Sequence, residues 1–431
     1  MMLIFLLVWF TFIVLSVIVS KWKNLGSISF WLIVWWSLVI GVTLTTDAKW
    51  VHKPSVIAFG YFVLCVLLFG VGKKQGSIIQ ANKVNTLSDI PLQQLHIYKY
   101  MAYIGLGMFV FDYYRLNGVA YTSRTYSISS IGALGNLIIP ALLPIGLCEI
   151  GYGIKVQQKI RISGVISLLG YALPGLISYG RESIVFVMIS TLSLVSMCLM
   201  QCEVRLRVPK KFIKYMVLCV VAVVAVVYFI IEKTEVRFTS NDISTFVYYH
   251  PLPEKNMREA NSWGVFSPLY YAIAWYFGTQ FPYLEFILER YTGPYVLGAY
   301  EFNIISRRFP VTWGLNTKVV SSTQRSLFAK YGESFNALWP GFAGSLIFDF
   351  GKIGALLVIF VLGIIVGKIT SKCSETHSLR YQVAVAQLCM MTFTTIQMGP
   401  LFQYNVWSTM LWWMIILGER RIHFVFDGKD I

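Results

Sequence analysis

The chain has 431 residues, of which 56% are hydrophobic and 13% are charged, and its formal net charge is +16. Soluble globular domains carry about 25% charged residues, so this composition excludes an ordinary water-soluble fold. A charge of this size also occurs in nucleic-acid-binding proteins, but the positions of the basic residues argue against that class.

The apolar residues are gathered in blocks long enough to cross a bilayer. About 18 apolar residues span a hydrocarbon core roughly 30 Å thick, so the sequence predicts an all-α polytopic membrane protein of about eleven transmembrane helices. The predicted spans are 2–20, 28–46, 54–72, 98–114, 133–152, 162–179, 183–201, 214–231, 353–368, 383–398 and 400–418. The first block lacks a basic start and a small-residue cleavage site, which predicts a retained helix rather than a signal peptide.

The basic residues predict the orientation of these spans. If each loop is assigned to a side, one side holds 20 of the 36 lysine and arginine residues, and the short loops opposite hold five. Cytoplasmic loops carry the excess of lysine and arginine. We therefore expect the N-terminus outside and the C-terminus inside, and the basic charge is mainly a topology signal rather than a nucleic-acid site.

Three parts follow from this topology. Residues 1–231 form a predicted bundle of eight helices, and residues 353–431 form three C-terminal transmembrane helices with a cytoplasmic tail. Between them, residues 232–352 form a large external segment with interfacial helices. Within it, residues 267–291 are predicted to be helices broken at Gly278 and Pro282, which lie in the interface or dip into the bilayer.

The external segment is rich in aromatic residues and has no cysteine. Its 27 Phe, Tyr and Trp residues fit two interpretations. One is an aromatic belt at headgroup depth. The other is a platform for a ligand with apolar and polar faces, such as a sugar chain on a lipid.

Arg181 is the first candidate for anion binding. It lies in the tight external turn Gly180-Arg181-Glu182-Ser183 between two predicted helices. An arginine at the bilayer edge costs free energy unless it pairs with an acidic residue or binds a ligand. Arg181 is therefore either an anchor for an anionic ligand or the partner of Glu182. Two other charged positions, Asp112 with Arg115 and Glu149, are predicted to be structural.

The external segment supplies the remaining candidates. His250 is its single histidine, so it is a candidate general base. Arg290 and Arg325 are candidates for a pyrophosphate clamp, because arginine recognises phosphate in a bidentate manner. Asp349 is either a second catalytic candidate or the cap of the helix that follows it. No metal site or cofactor is predicted, since metal-binding spacings and soluble-enzyme signatures are missing from the sequence.

Three stretches, in this order and topology, resemble the bacterial oligosaccharide repeat-unit polymerases, the O-antigen polymerase (Wzy-type) group. The first is the turn at Arg181 with the apolar helix after it, and the second is the Tyr/Gly/Pro-rich stretch 275–284. The third runs from Asn336 to 349–354 and into a helix that ends in Gly363 and Gly367.

The resemblance implies a GT-C-like glycosyltransferase architecture and a metal-independent enzyme. Such enzymes transfer a growing glycan from undecaprenyl pyrophosphate to the terminal sugar of a second lipid-linked repeat unit. The implied location is the bacterial inner membrane, with the active site facing the periplasm. The implied partners are the lipid-linked donor and acceptor, membrane lipid and a chain-length regulator protein, and no nucleic acid.

Two other classes stay open. An O-antigen ligase, or another lipid-sugar glycosyltransferase, shares the helix count and the outward loop but uses a different acceptor. A lipid-oligosaccharide flippase is a transporter and does not need an external segment of this size.

Overall fold

The computed structural model describes residues 2–46, 55–81, 92–117, 129–157, 159–177, 182–201, 254–302, 341–396, 399 and 404–417. All regular secondary structure in these ranges is helical, and no β-strand occurs among them. Helices satisfy their backbone hydrogen bonds internally, which a bilayer requires of a chain this apolar. The predicted all-α class is confirmed.

The helices of the described ranges have the following bounds in chain order. They are α1 (Met2–Val19), α2 (Ile28–Thr45), α3 (Val56–Ala81), α4 (Leu92–Asn117), α5 (Ser130–Ile138), α6 (Leu142–Gln157), α7 (Ile162–Ile177), α8 (Glu182–Gln201), α9 (Glu254–Ser262), α10 (Ser267–Gly278), α11 (Gln280–Arg290), α12 (Gly341–Thr376), α13 (Leu379–Thr394) and α14 (Tyr404–Leu417). Short 3-10 helices at Lys23–Gly26, Ile139–Ala141 and Gly264–Phe266 join some of them.

Six helical stretches of the described chain are long and apolar enough to cross a membrane. They are Met2–Val19, Ile28–Thr45, Val56–Ile79, Ser130–Gln157, Glu182–Met200 and Gly341–Thr376. Each coincides with a predicted span, and these helices are those of a polytopic membrane protein. The predicted span 214–231 lies outside the described residues, so the count of eleven stays a prediction.

Glycines bring α3 and α12 into close contact. The carbonyl of Phe360 lies against Gly72. That of Ile364, one turn later, lies against Gly76, so the two helices run parallel. A Cβ atom at these positions would overlap the backbone of the partner helix, which is the close approach that small residues four apart permit. The glycines of this contact are Gly72, Gly76, Gly363 and Gly367.

Helix α12 begins well before the predicted span at 353–368. Its first part, residues 341–350, is almost wholly buried, and the chain bends at Gly351, where φ is 72° and ψ is 175°. This backbone conformation is one that glycine adopts without steric cost. The backbone is non-helical at Gly351, so α12 consists of two helical parts, 341–350 and 352–376, and the second part begins directly after Asp349-Phe350-Gly351, close to the predicted span.

The predicted break at Gly278 is confirmed, because α10 ends there and α11 begins at Gln280. The predicted break at Pro282 is wrong. Pro282 lies in the first turn of α11, where a residue has no hydrogen-bond acceptor inside the helix and proline is tolerated.

Helix α11 is packed inside the protein rather than lying on its surface. All its residues from Gln280 to Leu288 are buried. The Phe281 ring lies 4.3 Å from the ring of Phe59 and 6.0 Å from that of Trp36, which stands near the middle of α2. Of the two predicted placements for 267–291, this burial fits a segment that enters the bundle.

Candidate functional site

Acidic side chains cap helix N-termini at one end of the bundle. Glu285 of α11 accepts hydrogen bonds from the Ser55 hydroxyl at 2.6 Å and from the backbone N–H groups of Ser55 and Ala58 at 3.2 and 3.0 Å. It thereby caps α3 from a position 230 residues away. Glu259 of α9 accepts from the N–H of Met2 at 3.1 Å and caps α1 in the same way.

Asp112 completes this set. Its carboxylate accepts from the backbone N–H and the hydroxyl of Ser129 at 2.7 and 2.6 Å, just before α5, and from Arg115 at 3.0 Å. The predicted structural pair of Asp112 and Arg115 is confirmed. We call the end that holds these three capped helices the acid-capped end. Carboxylates there neutralise the partial positive charge of the helix N-termini.

Contacts between helices place these N-termini on the same end. Trp31, near the start of α2, donates to Ser193 of α8, and Ser196, further along α8, donates to the carbonyl of Trp22, which precedes α2. The two contacts show that α2 and α8 run antiparallel. The hydroxyl of Tyr113, near the end of α4, donates to the carbonyl of Ile177, the last residue of α7. The ends of α2, α4 and α7 and the starts of α3, α5 and α8 therefore meet at the acid-capped end.

Asp349 anchors a loop at this end. Its carboxylate is fully buried and accepts from the backbone N–H groups of Tyr300 and Glu301 at 2.8 and 2.9 Å. Its own carbonyl accepts from Leu297 at 2.9 Å. The cap predicted for Asp349 therefore serves the turn at 297–302 and not the helix that follows it.

This geometry bears on the catalytic role predicted for Asp349. A carboxylate that acts as a base must be within hydrogen-bond reach of the hydroxyl that it deprotonates. Asp349 is covered on all sides and its two oxygens already hold backbone N–H groups. The geometry favours the capping alternative, and catalysis by Asp349 stays a prediction.

The loop from Arg290 to Phe302 is built on tyrosines. The Tyr291 ring is buried 4.8 Å from the ring of Phe348, and its hydroxyl donates to the carbonyl of Pro294. Burial raises the pKa of the Tyr291 hydroxyl above its ordinary value. The Tyr300 ring lies 5.2 Å from Phe348 on the same buried surface.

Other side chains of this 290–302 loop are exposed. Tyr295 is 42% exposed, and its ring lies over the backbone of Gly351 at the bend of α12. The side chain of Arg290 is 47% exposed and lies 3.8 Å from Glu289. Glu285, on the same helix as Arg290, is turned toward the start of α3. An exposed cation and an exposed aromatic ring therefore share one loop.

Three of the predicted site residues, His250, Arg181 and Arg325, lie outside the described residues, so their roles stay predictions. At the described edge of the Arg181 turn, the Ser183 hydroxyl donates to the carbonyl of Ala172 and joins α8 to α7. Of the predicted set, the structure places Arg290 and Asp349 on either side of Tyr291 and Phe348, in one corner of the acid-capped end.

Sequence reasoning missed Tyr295 and Lys352 at this corner. Lys352 follows the triplet Asp349-Phe350-Gly351 and its side chain is exposed. A lysine at the external end of a predicted span was a usable signal, because such residues sit at headgroup depth. Tyr295 gave no comparable signal, since one tyrosine among many does not reveal its position over a distant glycine.

The opposite end of the bundle carries lysines. Lys99 donates to both carboxylate oxygens of Glu149 at 2.8 and 3.0 Å, and both side chains are largely buried. The predicted structural role of Glu149 is confirmed. Lys155 donates to the carbonyl of His377, just past the end of α12. We call this end the lysine end.

The fold and this site define a class, namely an all-helical polytopic membrane protein with one acid-capped end and one lysine end. Comparison with protein-family models, with curated proteins and with solved structures finds no match to this chain. Its function is therefore inferred from its own residues.

Proposed function

We propose that this chain is a membrane glycosyltransferase that polymerises oligosaccharide repeat units carried on undecaprenyl pyrophosphate. The observation that carries the proposal is the corner at the acid-capped end, where exposed Arg290 and Tyr295 project from a loop that Asp349 fixes to the bundle. An arginine suits a pyrophosphate and a tyrosine ring suits a sugar face. The three motifs quoted for the repeat-unit polymerases support the same assignment.

The acid-capped end is the periplasmic face in this proposal. The excess of basic residues on the predicted cytoplasmic loops supports this orientation, with the N-terminus outside and the C-terminus inside. Burial of Met2 against Glu259, and of the start of α3 against Glu285, puts the predicted outer ends of α1 and α3 beside the 254–302 segment. A GT-C-like arrangement in the inner membrane belongs to the same proposal.

The reaction is a glycosyl transfer with a lipid pyrophosphate as leaving group. The acceptor hydroxyl oxygen attacks the anomeric carbon of the donor glycan, and the bond from that carbon to the pyrophosphate oxygen breaks. The pyrophosphate takes the electron pair, and Arg181, Arg290 and Arg325 stabilise its growing charge. The acceptor proton goes to a base, for which His250 is the candidate.

A deletion strain tests this assignment. Loss of the gene should leave lipopolysaccharide capped with one repeat unit, and the gene returned on a plasmid should restore the ladder of longer chains. Free lipid-linked polymer in the deletion strain would instead identify a ligase. Repeat units retained on the cytoplasmic side would identify a flippase.

Arginine variants test the site. Arg181→Ala and Arg181→Lys should abolish the ladder without loss of membrane insertion, and Arg290→Ala should shorten it. Removal of one preorganised donor costs about 100- to 1,000-fold in rate. The matched control is Arg258→Ala, which removes an exposed arginine of α9 from the same segment. A full ladder from the Arg181 variants would remove that residue from the site.

A further inference from the structure

The second part of α12 carries a row of exposed apolar side chains. Exposure declines from 77% at Ile353 to 48% at Ile365. Residues four apart lie on one face of a helix, and twelve residues rise about 18 Å, which is more than half of a bilayer core. We call this row the α12 stripe; its members are Ile353, Leu357, Val361 and Ile365.

A cation and an aromatic ring stand at the head of the α12 stripe. The side chain of Lys352 is exposed, and its ammonium has no hydrogen bond or ion pair among the described residues. The backbone there is fixed, since the Tyr61 hydroxyl donates to the Lys352 carbonyl at 2.7 Å. The ring of Tyr295 lies against Gly351, the residue before Lys352, and Tyr295 is 42% exposed.

A second lysine stands at the foot of the stripe. Lys368 is exposed on the same helix, toward the lysine end, and it too has no ion pair among the described residues. Lysines at both ends of a transmembrane helix commonly extend to the headgroups. What distinguishes the two is that Lys352 follows Gly351, against which the exposed Tyr295 lies.

We propose that Lys352, Tyr295 and the α12 stripe form a docking site for the isoprenoid chain and pyrophosphate of a lipid-linked saccharide. This inference rests on the proposed function and names where its substrate meets the protein. The ammonium of Lys352 binds the pyrophosphate as a point charge. The stripe contacts the isoprenoid, and the Tyr295 ring meets the first sugar.

Charge complementarity selects this occupant over an ordinary phospholipid. A pyrophosphate carries more negative charge than a phosphodiester, so a lysine holds it more strongly. An aromatic face beside the cation serves a sugar, which the common phospholipid headgroups lack.

Binding to nanodiscs tests the site without reference to the reaction. The protein is placed in phosphatidylcholine nanodiscs and titrated with undecaprenyl pyrophosphate. Lys352→Gln should weaken binding by about five- to tenfold, since one cation at a membrane surface contributes on that scale. Lys368→Gln is the matched control, because it removes the same group from the same helix, and its affinity should change by less than about twofold.

Two further variants keep the test decisive. Lys352→Arg retains the charge and should retain affinity, even if Lys352→Gln lowers the stability of the protein. Tyr295→Leu should lower the affinity for a lipid pyrophosphate that carries a first sugar more than it lowers the affinity for undecaprenyl pyrophosphate itself. Equal loss in the Lys352→Gln and Lys368→Gln proteins, or equal displacement of the probe by phosphatidylglycerol, would overturn the docking site.

The outcome is separable from that of the proposed function. A restored ladder together with unchanged binding in Lys352→Gln refutes the docking site alone. Failure of the gene to restore any ladder refutes the polymerase assignment, while the nanodisc titration still decides whether Lys352 holds the lipid. A wild-type protein that does not bind the probe refutes the docking site directly.

Discussion

The two ends of the helix bundle handle charge in opposite ways. At the acid-capped end, Glu259, Glu285 and Asp112 give their oxygens to backbone N–H groups at the starts of helices. At the lysine end, Lys99 pairs with a carboxylate and Lys155 with a carbonyl past the end of a helix. The caps and the Lys155 contact match the helix dipole, which is positive at the N-terminus and negative at the C-terminus.

The difference teaches which charges are available to a ligand. A carboxylate that caps a helix or a turn is buried and its oxygens are occupied, as those of Glu285 and Asp349 are. Lys352 at the same end is exposed and has no ion pair among the described residues, whereas Arg290 has the Glu289 carboxylate 3.8 Å away. The capping acids are therefore not available to a ligand, whereas the Lys352 ammonium is exposed.

The largest expected effect is at the lysine end. Lys99→Met leaves the Glu149 carboxylate buried without its partner, and breaking a buried pair in this way costs about 3–5 kcal/mol. Chemical unfolding in detergent micelles measures the loss. The double variant Lys99→Met/Glu149→Gln removes both charges and should recover most of it. If the double variant is no more stable than the single one, burial of the lone carboxylate is not the cause.

At the acid-capped end, Glu285→Ala should lower the free energy of unfolding by about 1–3 kcal/mol, because it leaves buried donors at the start of α3 without an acceptor. The same unfolding experiment measures it. Glu289→Ala is the matched control on the same helix, where the carboxylate is 40% exposed. Glu289→Ala should change the free energy of unfolding by no more than about 0.5 kcal/mol. Equal losses in the two variants would show that Glu285 does not act as a cap.

A smaller effect is expected at α5. The Ser129 hydroxyl accepts from the N–H of Ile131 at 3.2 Å as an N-cap. Ser129→Ala should lower the free energy of unfolding by about 1 kcal/mol, which is typical of a lost N-cap. Arg115→Ala should lower the free energy of unfolding by less, because that side chain is 48% exposed. Thermal unfolding of the two variants measures the order. The reverse order would mean that Arg115, and not Ser129, holds Asp112 in place.

Local patterns in the sequence predicted much of this fold. The apolar runs located the six long helices, because a bilayer demands a minimum length of apolar chain. The break at Gly278 and the pair of Asp112 and Arg115 are also local, since the residues concerned are near neighbours in sequence. The start of α12 was missed because Asp349 and Lys352 interrupt its apolar pattern.

The candidate site depended on contacts that one sequence does not reveal. Nothing in the sequence near Glu285 indicates that its carboxylate oxygens accept hydrogen bonds from Ser55, 230 positions away. Asp349 was expected to cap the helix beside it, yet it caps a turn 49 residues earlier, at Tyr300. In both cases a buried carboxylate is satisfied by whichever backbone donors the tertiary fold brings to it.

The glycine contact between α3 and α12 has a consequence for how the protein is made. Ser77 and Gly367, which meet at this contact, are 290 positions apart in the chain. Synthesis at about 5–20 residues per second separates their emergence by roughly 15–60 s. During that interval the glycine face of α3 lacks its partner helix. The arrival of α12 then joins the two ends of the chain, so assembly of this helix pair is a late event in biogenesis.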